Sequence, residues 1–236
     1  MIRATRPPRD TVHVWRIPLT APPPLLARLS AVLDAEERRR GAAAAFVETR
    51  RRHTVSHGAM RHILGRYLDR PPEDLIFRHG DWGKPELAGH EELRFSLSHC
   101  DDLALLAVTA GRSVGVDVER VYGDDRTRLA DRHFPLDEAA WVRAGGGGRA
   151  EAAARFARLW TRKEAWVKAA GGRLLQNFHL PVSGPDTEAL KDPAGRLPGS
   201  WRLSALPAPD GYAAALALAG ARPFTAELKS WPGWTG

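Results

Sequence analysis

The chain has 236 residues, of which 43% are hydrophobic and 27% are charged, so it is long enough for one large or two small globular domains. Its single cysteine, Cys100, excludes an internal disulfide framework. The apolar run at 213–219 is too short to span a bilayer, and the N-terminus lacks a signal-peptide pattern. We therefore expect a cytoplasmic protein without a membrane partner.

The formal net charge of +7 favours an anionic partner, which can be a nucleic acid, a small molecule or an acidic protein. Much of the positive charge lies between Arg38 and Arg66. No RNA-binding or zinc-finger signature accompanies it, and aromatic residues are not interleaved with the basic ones. A solvated, arginine-rich helix face explains most of these residues equally well.

The first half of the chain is predicted to contain one strand, then helices, then further strands. Alternating or apolar runs predict strands at 12–17, 75–77, 94–97 and 103–109. Ser30 or Asp34 can cap helical segments that end near Phe46, and a second helix is predicted over 50–68. A turn marked by glycine and proline is predicted over 80–85.

The second half repeats the order of strand, helices and strands. Strands are predicted at 114–118, 203–206 and 212–218, and helices at 126–133, 136–143 and 151–170. Residues 145–148 are predicted to form a flexible break, and Gly171 is placed to end the long helix. The tail at 231–234 is expected to dock on the surface or to be partly disordered. This order predicts an α/β (α+β) protein with two similar halves, 1–112 and 113–236.

Acidic residues in the second half form a candidate metal site. Asp117 and Glu119 lie two apart in a predicted strand and therefore share a face, with their valine neighbours turned into the core. Glu164 and Lys168 lie four apart on one helix face. If strand and helix pack together, three carboxylates and an ammonium group converge, which suits Mg²⁺ completed by phosphates and water. A solvent-facing strand edge and an ordinary surface ion pair remain the simpler alternatives.

A candidate phosphate site lies upstream of these acids. Gly83 permits close backbone approach beside Lys84, and Pro85 fixes the turn. Ser98 and His99 follow a predicted strand. Ammonium, imidazole, hydroxyl and backbone N–H groups together can bind phosphate. The segment is not a Walker loop, because the required glycine and lysine spacing is missing.

Two other histidine patterns carry little weight. Cys100 follows His99, but neighbours on a strand face opposite sides and no third orienting residue is evident, so we reject a cysteine-protease site. His53 and His57 have helical spacing, but no glutamate follows His53 as in zinc peptidases. We interpret them as part of a helix face.

Four segments, taken in order over residues 12–218, resemble the 4′-phosphopantetheinyl transferases, in particular the larger monomeric type that activates surfactin synthetase. The segments are Gly83-Lys84-Pro85, Phe95-Ser96-Leu97-Ser98-His99, Gly115-Val116-Asp117-Val118-Glu119, and Trp160-Thr161-Arg162-Lys163-Glu164-Ala165 with Lys168. The resemblance implies two α/β halves related by a pseudo-twofold axis, with coenzyme A between them. It also implies transfer of phosphopantetheine to a serine of an apo acyl, peptidyl or aryl carrier protein, with release of 3′,5′-ADP. A monomer without a nucleic-acid partner is implied as well.

The resemblance assigns roles to individual residues. Asp117, Glu119 and Glu164 match the family's Mg²⁺-binding acids, and Lys168 matches a lysine near the pyrophosphate. Further residues match contacts to coenzyme A: Gly83, Lys84, Pro85, Ser98 and His99. Arg50, Arg51 and Arg52 compete for one upstream arginine position, and Arg50 and Arg52 are preferred. The first half is thus expected to bind the nucleotide, and the second half to hold the metal and dock the carrier.

The expected chemistry is a Mg²⁺-assisted attack of the carrier serine on the phosphorus that bears the pantetheine arm. Glu164 is the first candidate for the general base and Glu119 the second. The helices at 126–143 and the loop at 145–148 are candidate docking elements for an acidic carrier. Two rival hypotheses remain: another Mg²⁺-dependent phosphate-cleaving enzyme, such as a nuclease or phosphohydrolase, and a non-enzymatic nucleic-acid-binding module. Fatty-acid, polyketide and nonribosomal-peptide carriers are not distinguished.

Overall fold

The computed structural model describes residues 4–123, 126–144, 146–172, 177–186 and 188–233. The first half contains β1 (Thr11–Pro18), α1 (Pro23–Ala31), α2 (Ala35–Ala42), α3 (Val47–Leu68), β2 (Phe77–His79), β3 (Pro85–Leu87), β4 (Leu93–Cys100) and β5 (Leu103–Ala110). The second half contains β6 (Val114–Arg120), α4 (Thr127–His133), α5 (Leu136–Arg143), α6 (Gly148–Ala170), β7 (Ala189–Leu190), β8 (Trp201–Ala205), β9 (Tyr212–Ala219) and β10 (Thr225–Ser230).

Each half is built on one four-stranded sheet. The first sheet has the order β10-β1-β5-β4 and the second the order β6-β9-β8-β7, while β2 and β3 form a separate hairpin. The long helix α3 packs on the first sheet, where Ala59 and Ile63 share a core with Phe95. The long helix α6 packs on the second sheet in the same way. The predicted α/β fold is confirmed, and the arrangement is consistent with a pseudo-twofold pair of halves.

A third apolar core joins the two sheets. Val12, Val14 and Leu105 from the first sheet share it with Val116 and Leu216 from the second. The valines of β6 therefore face the other half of the protein, as the alternation of the strand requires. The opposite face of β6 is left for α6, and this face carries the acidic residues.

The C-terminal strand β10 was missed by the sequence analysis. It pairs in parallel with β1, so that Thr225 lies opposite Thr11, and it completes the sheet of the first half. Trp231 then enters the core of the first half, and its backbone N–H donates to Arg16 O at 2.9 Å. The tail therefore docks as far as Trp231, whereas Trp234 lies outside the described residues.

Buried ion pairs hold the helices in place. Lys163 and Glu138 are both 0% exposed and lie 2.5 Å apart, which joins α6 to α5. Arg61 of α3 is also fully buried and binds Asp34 and Glu37, the two residues that form the capping box of α2. Of the two caps that the sequence offered, Asp34 is the one observed, whereas Ser30 lies within α1. Within the described ranges, no helix has the length and apolar character needed to cross a membrane.

Candidate active site between β6 and α6

Gly115 brings α6 into contact with β6. A Cβ atom at this position would lie 2.0 Å from the backbone oxygen of Ala165 and 2.4 Å from the backbone nitrogen of Ala169. Only glycine permits this approach. Because Asp117 and Glu119 follow Gly115 on the same face of the strand, both face the helix that carries Glu164 and Lys168.

Asp117 lies at the centre of the site and is 2% exposed. Its Oδ1 accepts a hydrogen bond of 2.8 Å from the Ser98 hydroxyl and another of 2.6 Å from Lys168 Nζ. Its Oδ2 is buried and has no hydrogen-bond partner among the described residues. The structure therefore brings Ser98, Asp117 and Lys168 together, as the sequence pattern predicted for the last two.

The acids of the site repel one another. Burial, supported by the charges of Asp117 and Glu119, raises the pKa of Glu164 to about 7, although Lys168 opposes the shift. Burial and the charge of Asp117 also raise the pKa of Glu119. Burial lowers the pKa of Lys168, but the combined attraction of Asp117, Glu164 and Glu119 outweighs it and the net shift is upward. Three acids thus share one ammonium group, which leaves excess negative charge.

The donor set and its charge fit a hard divalent cation, because carboxylate oxygens are the ligands that Mg²⁺ prefers. The Oδ2 of Asp117, which has no hydrogen-bond partner among the described residues, supplies one oxygen for this purpose. In the described part of the chain, however, no three His, Cys, Asp or Glu side chains already stand as a metal-ligand group. The acids are therefore gathered in one place without forming a ready-made cage.

A cleft of about 320 Å³ adjoins this site through Lys168, whereas Asp117, Glu119 and Glu164 are not among its lining residues. It is lined by residues of both halves, including Lys84, His99, Lys168 and Gly171. Gly83 adopts φ 82° in the left-handed region, which turns the chain before Pro85 begins β3. All three residues of the predicted Gly83-Lys84-Pro85 turn line the cleft, whereas Ser98 lies behind it in contact with Asp117.

Lys84 connects the cleft to the backbone of the other half. Its Nζ donates to Val114 O at 3.1 Å and to Ala169 O at 2.9 Å, so one of its three N–H groups is left for a ligand. Burial lowers its pKa to about 8. Burial and the charge of Lys168 lower the pKa of His99, so its ring is biased toward the neutral form.

The candidate arginines of α3 lie away from the cleft lining. Arg52 pairs with Asp102 at 3.3 Å, and the exposed Arg50 donates to Ala45 O at 3.4 Å. Arg40 of α2 does line the cleft, where Glu36 holds its guanidinium at 2.8 Å. Sequence reasoning missed Arg40, because nothing in the arginine run at 38–40 distinguishes the residue that faces inward.

His57 was interpreted as part of a helix face, but it also lines the cleft. Its ring stacks on that of His53, with 3.9 Å between the centroids. Burial and the neighbouring His53 lower the pKa of His57 to about 3, so the ring is neutral. The helical spacing of the two histidines predicted their contact, but not the cleft beside them.

Comparisons with known proteins identify the family. The sequence model of the 4′-phosphopantetheinyl transferase superfamily matches residues 113–217, which run from β6 to β9 and contain the acids and Lys168. The chain is 36% identical over 226 residues to 4′-phosphopantetheinyl transferase HetI of Nostoc sp., covering 94% of this chain and 92% of HetI. The chain belongs to the 4′-phosphopantetheinyl transferases. This transferase is also 30% identical over 155 residues to 4′-phosphopantetheinyl transferase psf-1 of Bacillus pumilus, covering 61% of this chain and 65% of psf-1.

The resemblance seen in the sequence is therefore confirmed, and with it the activity. The transferase moves phosphopantetheine to carrier proteins, and its family generally uses Mg²⁺ and coenzyme A. Coenzyme A and an apo carrier protein are the substrates that the family implies.

Proposed function

We propose that this chain transfers 4′-phosphopantetheine from coenzyme A to a serine of an apo carrier protein, with Mg²⁺, and releases 3′,5′-ADP. The observation that carries the proposal is the convergence of Asp117, Glu164 and Lys168 next to a two-sided cleft that Lys168 itself lines. The cleft offers cationic and apolar groups for a nucleotide, and Lys168 connects it to the acids.

Asp117, Glu119 and Glu164 are the proposed Mg²⁺ ligands. Among the described residues Asp117 Oδ2 has no hydrogen-bond partner, and the pKa values of both glutamates are raised. Both observations support this assignment, because a bound cation compensates the burial and the mutual repulsion that raise these pKa values. When bound, Mg²⁺ supplies charge neutralisation to the pyrophosphate of coenzyme A. Waters and phosphate oxygens would complete its ligands.

Lys84, His99 and Arg40 are the proposed contacts to coenzyme A, together with the turn at Gly83 and Pro85. All five line the cleft. Lys84 and Arg40 supply positive charge, and a guanidinium suits phosphate recognition. Arg40 replaces Arg50 and Arg52 in this proposal, because those two side chains lie outside the cleft lining.

Glu164 is the proposed general base. A cation bound beside Glu164 favours its carboxylate form, which is the form that accepts a proton. The carrier serine gives its proton to Glu164 while its oxygen bonds to the pantetheine-bearing phosphorus. The bond from that phosphorus to the bridging oxygen breaks, and 3′,5′-ADP leaves. Lys168 neutralises the charge that develops on the leaving phosphate. Glu119 remains the second candidate for the base.

The proposal is tested with pure protein, an apo carrier protein, coenzyme A and Mg²⁺. Mass spectrometry should detect one phosphopantetheine on the carrier. Glu164→Gln should lower the rate by about 10²–10⁴-fold, the usual contribution of a general base, with an unchanged circular dichroism spectrum. Glu151→Gln, on the exposed first turn of the same helix, should keep full activity. Full activity in Glu164→Gln would remove that residue from the mechanism.

Carrier docking is proposed for the side of the acids that faces α4 and α5. Glu119 also borders a second cavity of about 100 Å³, lined in part by Tyr122, Arg126 and Trp160. The exposed Arg128 and Arg132 lie on α4 beside it. Positive charge there would attract an acidic carrier. Gly145 of the proposed docking loop lies outside the described residues.

The remaining assignments rest on sequence or on the family. Residues 1–112 are proposed to bind the nucleotide and 113–236 to hold the metal and carrier, although Lys168 and Gly171 of the second part also line the cleft. A monomeric state and a cytoplasmic location stay predictions.

A phosphohydrolase would cleave coenzyme A with metal alone, so incubation without a carrier separates that rival from the transferase. A nucleic-acid-binding module would bind DNA or RNA in a salt-sensitive way that is unaffected by substitution of the acids, and retardation of labelled DNA in a gel measures this.

A further inference from the structure

Ser98 links the first half of the protein to the acids of the second. It lies on β4, is 7% exposed, and donates its hydroxyl proton to Asp117 Oδ1 at 2.8 Å. The same hydroxyl oxygen accepts a hydrogen bond of 2.9 Å from Lys168 Nζ. Since Lys168 also donates to Asp117 Oδ1 at 2.6 Å, the three side chains form a closed triangle.

This triangle leaves the two carboxylate oxygens of Asp117 in different states. Oδ1 accepts from both the hydroxyl and the ammonium group. Oδ2 is buried and has no partner among the described residues. Burying a carboxylate oxygen without a hydrogen-bond donor costs free energy of folding, so the presence of such an oxygen here indicates that it binds a ligand. Because Asp117 is 2% exposed, its carboxylate is confined, and the bonds to Oδ1 decide which oxygen stays open.

We propose that Ser98 is a positioning residue for the metal, which, together with Lys168, fixes the Asp117 carboxylate so that Oδ2 is the oxygen offered to the cation. The inference rests on the proposed role of Asp117 as a cation ligand. It replaces the prediction that Ser98 contacts a phosphate of coenzyme A. A serine hydroxyl has one proton, and here that proton is given to Asp117.

The test measures Mn²⁺ binding to the free protein, without coenzyme A, from the electron paramagnetic resonance signal of unbound Mn²⁺. Groups that orient a metal ligand typically contribute about 10- to 100-fold to affinity. Ser98→Ala should therefore weaken Mn²⁺ binding by about tenfold or more. Ser98→Thr, which keeps the hydroxyl, should restore most of the affinity. Thermal unfolding of each variant checks that it is folded.

Ser96→Ala is the matched control. Ser96 lies two residues earlier on β4, and its hydroxyl accepts from the backbone N–H of Val116 at 3.1 Å rather than from a group at the acids. Its removal should leave Mn²⁺ affinity unchanged. Any loss comparable to that in Ser98→Ala would show that the effect comes from the packing of β4 on β6, and would overturn the inference.

A steady-state measurement separates this role from a phosphate contact. The positioning role predicts that Ser98→Ala raises the Mg²⁺ concentration for half-maximal rate by about tenfold. A phosphate contact instead predicts a raised KM for coenzyme A with unchanged Mn²⁺ affinity, and that result would overturn the inference.

Asp117→Asn separates a failure of the proposed metal site from a failure of the positioning role of Ser98. If it loses Mn²⁺ while Ser98→Ala does not, only the positioning role fails. If it retains Mn²⁺, the proposed metal site fails, and this inference fails with it.

Discussion

Gly115→Ala is expected to separate the strand that carries Asp117 from the helix that carries Glu164 and Lys168. The new Cβ would lie 2.0 Å from Ala165 O and 2.4 Å from Ala169 N. Both obstacles are backbone atoms of α6, so no side chain can turn aside. The helix must retreat by about 1 Å to restore even the shortest tolerated contact. Overpacking of this kind typically costs about 1–3 kcal/mol of unfolding free energy, and we expect the upper end.

The loss of activity should exceed the loss of folded protein. Ala165 and Ala169 directly follow Glu164 and Lys168 in the chain, so all four move together. A retreat of about 1 Å would stretch the bond between Lys168 and Asp117 beyond hydrogen-bond range. A misplacement of about 1 Å can lower a rate by about 10²-fold. Glycine is therefore required at this position for geometry as well as for stability.

Chemical denaturation and a carrier-modification assay test the expectation, with Gly123→Ala as the control. Among the described residues, none has an atom within 4 Å of a Cβ added at Gly123, so the Gly123→Ala protein should be as stable as the wild type. A Gly115→Ala protein with wild-type stability and rate would refute the argument that close contact between β6 and α6 assembles the site.

Two further predictions concern charge. Because burial lowers the pKa of Lys84 to about 8, its ammonium loses its proton as the pH rises through that value. We expect kcat/KM for coenzyme A to fall above about pH 8. Lys84→Met should have a lower kcat/KM at neutral pH and should not show this fall. If kcat/KM of Lys84→Met still fell above about pH 8 as in the wild type, Lys84 would not be the group that titrates. We also expect kcat/KM for an acidic carrier protein to decrease between about 0.05 and 0.5 M salt. Arg132→Ser should weaken that salt dependence, whereas Arg38→Ser, on α2, should not. If kcat/KM decreased equally steeply with salt in the wild type and in both variants, the result would argue against docking at α4.

Local patterns predicted the elements that carry the acids. The alternation in β6 and the spacing in α6 placed Asp117 and Lys168 on faces that meet, and the structure brings them to 2.6 Å. The predicted turn at Gly83 and the end of α6 at Gly171 also occur, with φ 82° and 72°. In each case the signal lies within a few neighbouring residues, where backbone geometry is set locally.

Long-range pairing produced the differences. The strand β10 has the sequence Thr-Ala-Glu-Leu-Lys-Ser, whose charged residues resemble a surface segment, and its partner β1 lies at the other end of the chain. The predicted strand at 75–77 begins too early, because Leu75 follows a 3-10 turn and pairing starts at Phe77. The cleft positions of Arg40 and His57 depend on how α2 and α3 pack, which no local pattern records.

The apolar layer shared by the two sheets joins the two halves of the enzyme into one rigid unit. Val14 and Val116 come from opposite halves and are both 0% exposed. A hinge motion that separated the halves would therefore expose this apolar layer to water. Such exposure is costly in proportion to the apolar area uncovered. The cleft proposed for coenzyme A is therefore expected to keep its width before substrate arrives, so that side chains at its rim control entry instead of a rigid-body closure.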